Sequence, residues 1–293
     1  MRVVVASGKG GTGKTTIATS LALALDGGPV LFLDCDVEAP NAHLILNPAF
    51  TYREEVGIFI PSVDVGRCTG CGRCAEVCRF HAIAVVGGRV LVFPELCHGC
   101  GSCVANCPET ALTERLDVMG VLEAGTTPTG LLFARGVLNI GEPMPVPLVR
   151  RLKHWAAAQA ATRRSPAFQA IILDASPGTS CPVVEALRGA DYALLVSEPT
   201  PFGLHDLRLM VELVRQLEIP AGLIVNRDMP GDDALERYCS DVQLPVLMRI
   251  PLEREIGAAL AAGQPLITVR PEYAGRLRRL YAQATQRLEG EEA

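Results

Sequence analysis

The stretch SGKGGTGKTT, residues 7–16, stands between the β-branched run RVVVA and the helically spaced apolar run TTIATSLALAL. Gly8 to Thr15 matches G-x-x-x-x-G-K-[ST] at every fixed position, after a strand and before a helix. Few folds accommodate such a loop. Its glycines turn successive backbone N–H groups inward as an anion nest, and the helix N-terminus adds a partial positive charge. Gly8, Gly10, Gly11, Thr12, Gly13, Lys14, Thr15 and Thr16 therefore read as a phosphate cradle. Within it Lys14 is expected to reach the β and γ phosphates of ATP or ADP, and the Thr15 hydroxyl to hold Mg²⁺.

A second strand, PVLFLDCD, follows at once. The β-loop-α-β order implies a parallel sheet with a right-handed crossover. Further along, GLLFARGVLNIG, AFQAIILD, DYALLVSE, IPAGLIVN and VLMRIP read as strands, and VRRLKHWAAAQAA and DLRLMVELVRQL as helices. With 49% hydrophobic and only 5% aromatic residues over 293 positions, the fold class is α/β, a mostly parallel sheet flanked by helices. Asp174 ends an apolar strand, where ligands gather in open sheets, and is expected to complete the Mg²⁺ site with Thr15.

From about Pro61 to Glu114 the texture changes to cysteine, glycine and short strand-like pieces joined by Gly87-Gly88, a hairpin signal. The expected organisation is a nucleotide-binding domain split into 1–60 and 115–293 around an insert at 61–114. The insert is expected to leave the sheet directly after the loop that follows the second strand. It carries eight of the eleven cysteines, as two runs of C-x2-C-x2-C-x3-C offset by 29 residues. The pattern resembles the two-cluster bacterial ferredoxins, in which the fourth cysteine of each run serves the other cluster. That resemblance assigns one [4Fe-4S] cluster to Cys68, Cys71, Cys74 and Cys107 and the other to Cys97, Cys100, Cys103 and Cys78, in a small α+β domain. A tetrahedral zinc site does not require three thiolates two residues apart. Arg79 stands where the pattern usually has proline, and Pro108 follows the second run.

Lys9 is unnecessary to an ordinary phosphate loop. With it, SGKGGTGKTT resembles the deviant Walker A motif of the MinD/Mrp/ParA family of dimeric P-loop ATPases. The resemblance implies an ATP-bridged homodimer, or a heterodimer with a paralogue, in which Lys9 reaches the partner's nucleotide. DCDVEAPN resembles the family's switch I, with Asp36 positioning the attacking water and Asn41 following. DASPGT resembles its Walker B and switch II, with Ser176 where the family often has proline. Asn226 falls at the adenine-recognising strand end, and the run from Pro251 where a later segment packs on the base. These matches span roughly 230 residues on both sides of the insert. The C-x-x-C by which many Mrp-type carriers bridge a cluster between subunits is absent from the C-terminal half.

A net charge of −5 offers no global field for nucleic acid or anionic lipid. No apolar run reaches a membrane-spanning length, and a cytoplasmic protein without a stable membrane anchor is expected. Cys35, Cys181 and Cys239 read mainly as inert thiols, although Cys181 follows a switch, and His98 and His205 as a solvated loop residue and a helix-start residue. Leu277, Leu280, Tyr281 and Leu288 form an apolar helix face that resembles the MinD membrane-targeting tail. The acidic ending EGEEA argues against lipid binding.

The whole resembles MinD-superfamily ATPases with an inserted ferredoxin domain. The expected function is ATP-driven dimer closure coupled to assembly, carriage or reduction of a metal centre on a client metalloprotein. A MinD/ParA-type positioning or regulatory ATPase with redox-sensing clusters, and a nucleotide-regulated electron carrier, are the alternatives.

Overall fold

The computed structural model describes residues 1–25, 27–162, 168–229 and 234–291. β1 (Arg2–Ala6) leads through the glycine loop into α1 (Lys14–Ala24), and β2 (Val30–Asp34) into α2 (His43–Leu46) and the long β3 (Ala49–Val63). Then come α3 (Arg73–Val77), β4 (Ile83–Val86), β5 (Arg89–Val92), α4 (Ser102–Ala105) and a second long strand, β6 (Leu112–Thr126). β7 (Leu132–Leu138), α5 (Val146–Thr162), β8 (Ala170–Asp174), α6 (Cys181–Leu187), β9 (Tyr192–Ser197) and α7 (Pro201–Gln216) follow. The chain closes with β10 (Ala221–Asp228), α8 (Ala234–Asp241), β11 (Val246–Pro251), α9 (Arg254–Ala261), α10 (Leu266–Val269) and α11 (Glu272–Glu291).

Nine strands form one sheet in the order β11-β10-β9-β1-β8-β2-β7-β6-β3. It is parallel from β11 to β7; β6 runs antiparallel to β7, and β3 antiparallel to β6. β1 is central because RVVVA can be buried on both faces: Val3 and Val5 face one core with α1, and Val4 and Ala6 the other with α5, α6 and α7. The apolar face of α11 is part of the first core. Leu277, Leu280 and Tyr281 are buried there with Ile17 and Leu21, and the Tyr281 hydroxyl donates to the Gln169 carbonyl. That face is therefore taken up by the protein's own core, not offered to lipid; the Leu288 side chain lies outside the described residues. Among the described residues no helix is long and apolar enough to cross a membrane.

β3 and β6 correct the expectation that the insert leaves the sheet directly after β2. They are the last two strands of the main sheet, β3 at its edge, paired from Ala49↔Thr126 to Val63↔Leu112, and the boundary residues Pro61 and Glu114 face each other inside that ladder. Their lower halves rest under α5, where Arg151 makes a bidentate pair with Glu54 and Trp155 lies against Tyr52. Above Val56 the strands outrun β7, so Gly57–Val63 and Leu112–Val118 continue as a two-stranded stalk of about 23 Å. Gly57 marks the bulge where the stalk begins; a Cβ there would lie 1.9 Å from the Asp117 carbonyl oxygen.

Residues 64–111 form a lobe on the stalk, and its halves repeat at the 29-residue offset. The Asp64 N–H donates to the Ala111 carbonyl and the Phe93 N–H to the Ala82 carbonyl, both at 2.8 Å. Gly70 and Gly99, Gly72 and Gly101, and His81 and Thr110 share positive φ. The β4–β5 hairpin, turning on Gly87 and Gly88 with positive φ at both, corresponds to the top of the stalk itself, since Ile83↔Val92 matches Val63↔Leu112. The stalk is thus a structural half of the lobe as well as an edge of the sheet.

Candidate functional site

Beyond β1, the loop carries Lys14 into a cleft at the carboxyl edge of the sheet, lined also by Gly10, Gly11, Thr15, Asp36 and Asn226. Cβ atoms at Gly10 and Gly11 would point into open space, leaving the bare backbone free for close approach by an anion. Gly8 has another reason: a Cβ there would lie 2.4 Å from the Asp206 carbonyl oxygen, so it lets α7 approach. Gly13 caps α1 at φ 96°, and the Asn226 side-chain amide fills the room beside it, donating to the Thr12 carbonyl at 2.7 Å. Pro251, Leu252, Ile256 and Leu260 supply an apolar wall on the Asn226 side of the cleft.

Charge is concentrated on the floor. The Thr15 hydroxyl donates to Asp174 Oδ2 at 2.6 Å, while Oδ1 of the same fully buried carboxylate has no partner among the described residues. Burial pushes the Asp174 carboxyl up to about 7, against the opposing pull of Thr15 and Lys14. Asp34, its partner across the β2–β8 ladder, is held well above the usual carboxylate range, by burial first and by Asp174 second. Lys14 is lowered by its own burial and raised by Asp174 and Asp36. Asp36 is raised by burial and lowered by Lys14 and by a hydrogen bond from Ser176. Two buried carboxylates on one rung, one with an orphan oxygen, suit a site that receives a divalent cation.

Asp34 is a residue that sequence reasoning passed over in favour of Asp36. Its carboxylate accepts from the backbone N–H groups of Asp36, Asn41 and Ala42, so it organises the whole turn DCDVEAPN. The signal was the first aspartate of that run, at a strand end. Ser176, in the position that resemblance gives to proline, donates to the Cys35 carbonyl and ties the loop after β8 to the turn after β2.

The Asp34 rung continues to the edge of the sheet. Asp34 pairs with Arg135 on β7, Arg135 with Glu123 on β6, and Glu123 with Arg53 on β3. Glu123 takes both Nε and Nη2 of Arg135, at 3.0 and 2.7 Å, and Nη1 of Arg53 at 2.7 Å. His43, directly after the turn that Asp34 holds, feels Arg135 and Glu123 and is lowered, by burial first. From the level of Arg53, ten residues of β3 climb about 33 Å to the lobe. β3 runs in the direction of β2, so the lobe stands on the side of the sheet that carries the cleft.

Lys9 does not line the cleft. Its ammonium lies 3.1 Å from Glu198 Oε2, within its own chain.

In the lobe, Cys68, Cys71, Cys74 and Cys107 line one cavity, and Cys78, Cys97, Cys100 and Cys103 another. The fourth cysteine of each run crosses to the other cavity because α3 and α4 lie side by side. The Ala82 N–H donates to Cys78 Sγ and the Ala111 N–H to Cys107 Sγ, both at 3.3 Å. Among the described residues no three His, Cys, Asp or Glu side chains are gathered tightly enough for a single metal ion. His98 is exposed and in a loop, as expected, and in addition stacks on Phe80 with ring centroids 4.0 Å apart; both line the second cavity. Cys35 and Cys239 are buried and pushed up, chiefly by burial, Cys239 to about 11; Cys181 is exposed at the start of α6. None of the three lines either cavity.

A family model described as the CobQ/CobB/MinD/ParA nucleotide binding domain matches residues 3–266. An uncharacterized protein of Methanocaldococcus jannaschii is 29% identical over 269 residues, 91% of each chain. A second uncharacterized protein of that organism is 31% identical over 229 residues, 78% of each chain. Among solved structures, the septum site-determining protein MinD of Pyrococcus horikoshii, complexed with Mg-ADP, is similar in fold, with a TM-score of 0.57, 19% identity, and coverage of 100% of this chain and 98% of that one.

Proposed function

Since the chain belongs to the CobQ/CobB/MinD/ParA nucleotide-binding family and is a P-loop ATPase, we propose that it couples ATP-driven closure of a dimer to the assembly, carriage or reduction of a metal centre on a partner protein, through two [4Fe-4S] clusters in the lobe. The observation that carries this reading is the stalk: the strands that hold the eight-cysteine lobe are also the last two strands of the ATPase sheet, in register through Glu123 and Arg135 with Asp34, the aspartate that organises the turn after β2.

The residues present fit the groups they are assigned. For Mg²⁺ and nucleotide the fit rests on the orphan Asp174 oxygen and the bare cradle at Gly10 and Gly11. For the clusters it rests on four thiols around each cavity and a backbone N–H on Cys78 and on Cys107. Zinc fits these thiols less well, because thiolates on one tetrahedral ion lie only about 3.8 Å apart, and the described residues gather no such group. Clusters held there supply one-electron chemistry, with potentials set by burial and by hydrogen bonds to sulfur. The chain's own residues do the rest. Lys14 and the loop backbone bind phosphate, Thr15 and Asp174 hold the cation, Asp36 orients the water that attacks, and Asn226 reads the base beside the Pro251 wall.

The experiment is anaerobic purification followed by capture of partners with ATP and an Asp36→Ala variant that stalls hydrolysis. A client metalloprotein retained only in the stalled form supports the reading. If ATP turnover changes with cluster oxidation state while no electron or metal reaches any client, the regulatory alternative takes its place.

A further inference from the structure

Lys9 and Arg227 meet at a single carboxylate. Glu198 is the first residue after β9 and only 8% exposed. Its Oε2 lies 3.1 Å from Lys9 Nζ and its Oε1 2.6 Å from Arg227 Nη1. The two cations come from different elements, the loop after β1 and the end of β10, and they differ in kind. Arg227 lines the nucleotide cleft and is held at φ 53°, a backbone conformation that a non-glycine residue adopts only when its surroundings fix it. Lys9 is a compact ammonium on a flexible stem.

Were Lys9 the sole partner of Glu198, its departure would strand a buried carboxylate, which is costly. Arg227 removes that cost, because its guanidinium stays in place. We propose that Glu198 is the positioning residue for Lys9: it parks the lysine on its own subunit, and Arg227 keeps the carboxylate paired when Lys9 crosses to the partner's triphosphate. The strength of the Lys9–Glu198 contact then sets the threshold for dimer closure. This rests on the reading that Lys9 acts across an ATP-bridged dimer.

The two partners of Glu198 make opposite predictions. Glu198→Gln keeps the shape, loosens Lys9 and lowers the protein concentration for half-maximal ATP-dependent dimerisation about five-fold, the combined worth of the two partly exposed ion pairs, one per subunit, that closure breaks. Arg227→Gln leaves Lys9 as the only cation on Glu198, tightens that contact and raises the same concentration at saturating ATP. Glu198→Asp restores the wild-type threshold at least in part. A purely structural role would shift both variants the same way. Analytical ultracentrifugation of full-length protein with ATP, on the background of the hydrolysis-stalling Asp36→Ala, reads the thresholds. A weakened or unchanged dimer in Glu198→Gln, alongside a lost dimer in Lys9→Ala, overturns the proposal. An undiminished dimer in Lys9→Ala overturns instead the assignment of Lys9 across the interface, and this proposal with it.

Discussion

Replacing Glu123 by glutamine isolates the rung that runs from Asp34 at the turn after β2 to the base of the stalk. Glu123 is 13% exposed and accepts both Nε and Nη2 of Arg135, 17% exposed, on its single oxygen Oε2; its contact with Arg53, through Oε1, is 67% exposed on the arginine side. The exposed pair is worth at most a few tenths of a kcal/mol after solvent screening. The Arg135 pair, with both donors on one oxygen and both partners mostly out of water, is worth about 2 kcal/mol, part of which a neutral glutamine retains through its amide oxygen. The variant is therefore expected to lose about 1.5 kcal/mol and roughly 2.5 °C in Tm. Its ATP affinity stays within about two-fold, since Glu123 does not line the cleft. The informative readout is amide hydrogen exchange across Gly57–Val63 and Leu112–Val118. In the wild type, exchange there differs between ADP and a non-hydrolysable ATP analogue; in Glu123→Gln that difference collapses while exchange in α1 still responds. A stalk that keeps its nucleotide response without Glu123 would refute the reasoning that this rung carries it.

Further predictions are narrower. Gly10→Ala places a methyl group in open space within the cradle; denaturant stability should stay within about 0.5 kcal/mol while ATP affinity, by calorimetry, falls at least ten-fold. Asp174 retains its proton to about 7 in the fold but loses it near the usual carboxylate value when unfolded, so its contribution to the stability of the ligand-free protein is greatest in acid and declines as pH rises from about 4 to about 7, at up to about 1.4 kcal/mol per unit. Asp174→Asn should flatten that slope in urea titrations; an unchanged slope would assign it elsewhere. Cys78→Ser should lower anaerobic iron content from about eight to about four per chain, whereas Cys239→Ser, at a site remote from both cavities, should leave it at about eight.

What was legible in the sequence follows from how local each signal is. The loop from Gly8 to Thr15 is contiguous, and strand, turn and helix propensities agree on it. The cysteine runs were equally open, since a 29-residue offset shows the duplication; the exchange of each fourth cysteine was implied only by the resemblance to two-cluster ferredoxins, and Cys107 and Cys78 line the cavities of the opposite runs. The stalk was hidden. TYREEVGIFIP mixes charged and apolar residues because edge strands expose one face, and its Arg53 and Glu54 are spent on Glu123 of β6 and Arg151 of α5. The change in texture at Pro61 consequently fell inside a strand. Glu198 and Arg227 were invisible for a related reason: their contact exists only because β9 and β10 end side by side. That the exposed His98 stacks on Phe80 was equally hidden, because nothing local places the two rings together.

The most direct test of coupling between nucleotide and clusters uses Mn²⁺ in place of Mg²⁺ at Thr15 and Asp174, with the clusters reduced. Paramagnetic relaxation between the manganese and a reduced cluster reports their separation in anaerobic protein containing about eight irons. The account predicts one separation with ADP and a different one with a non-hydrolysable ATP analogue. The same separation in both states would contradict it.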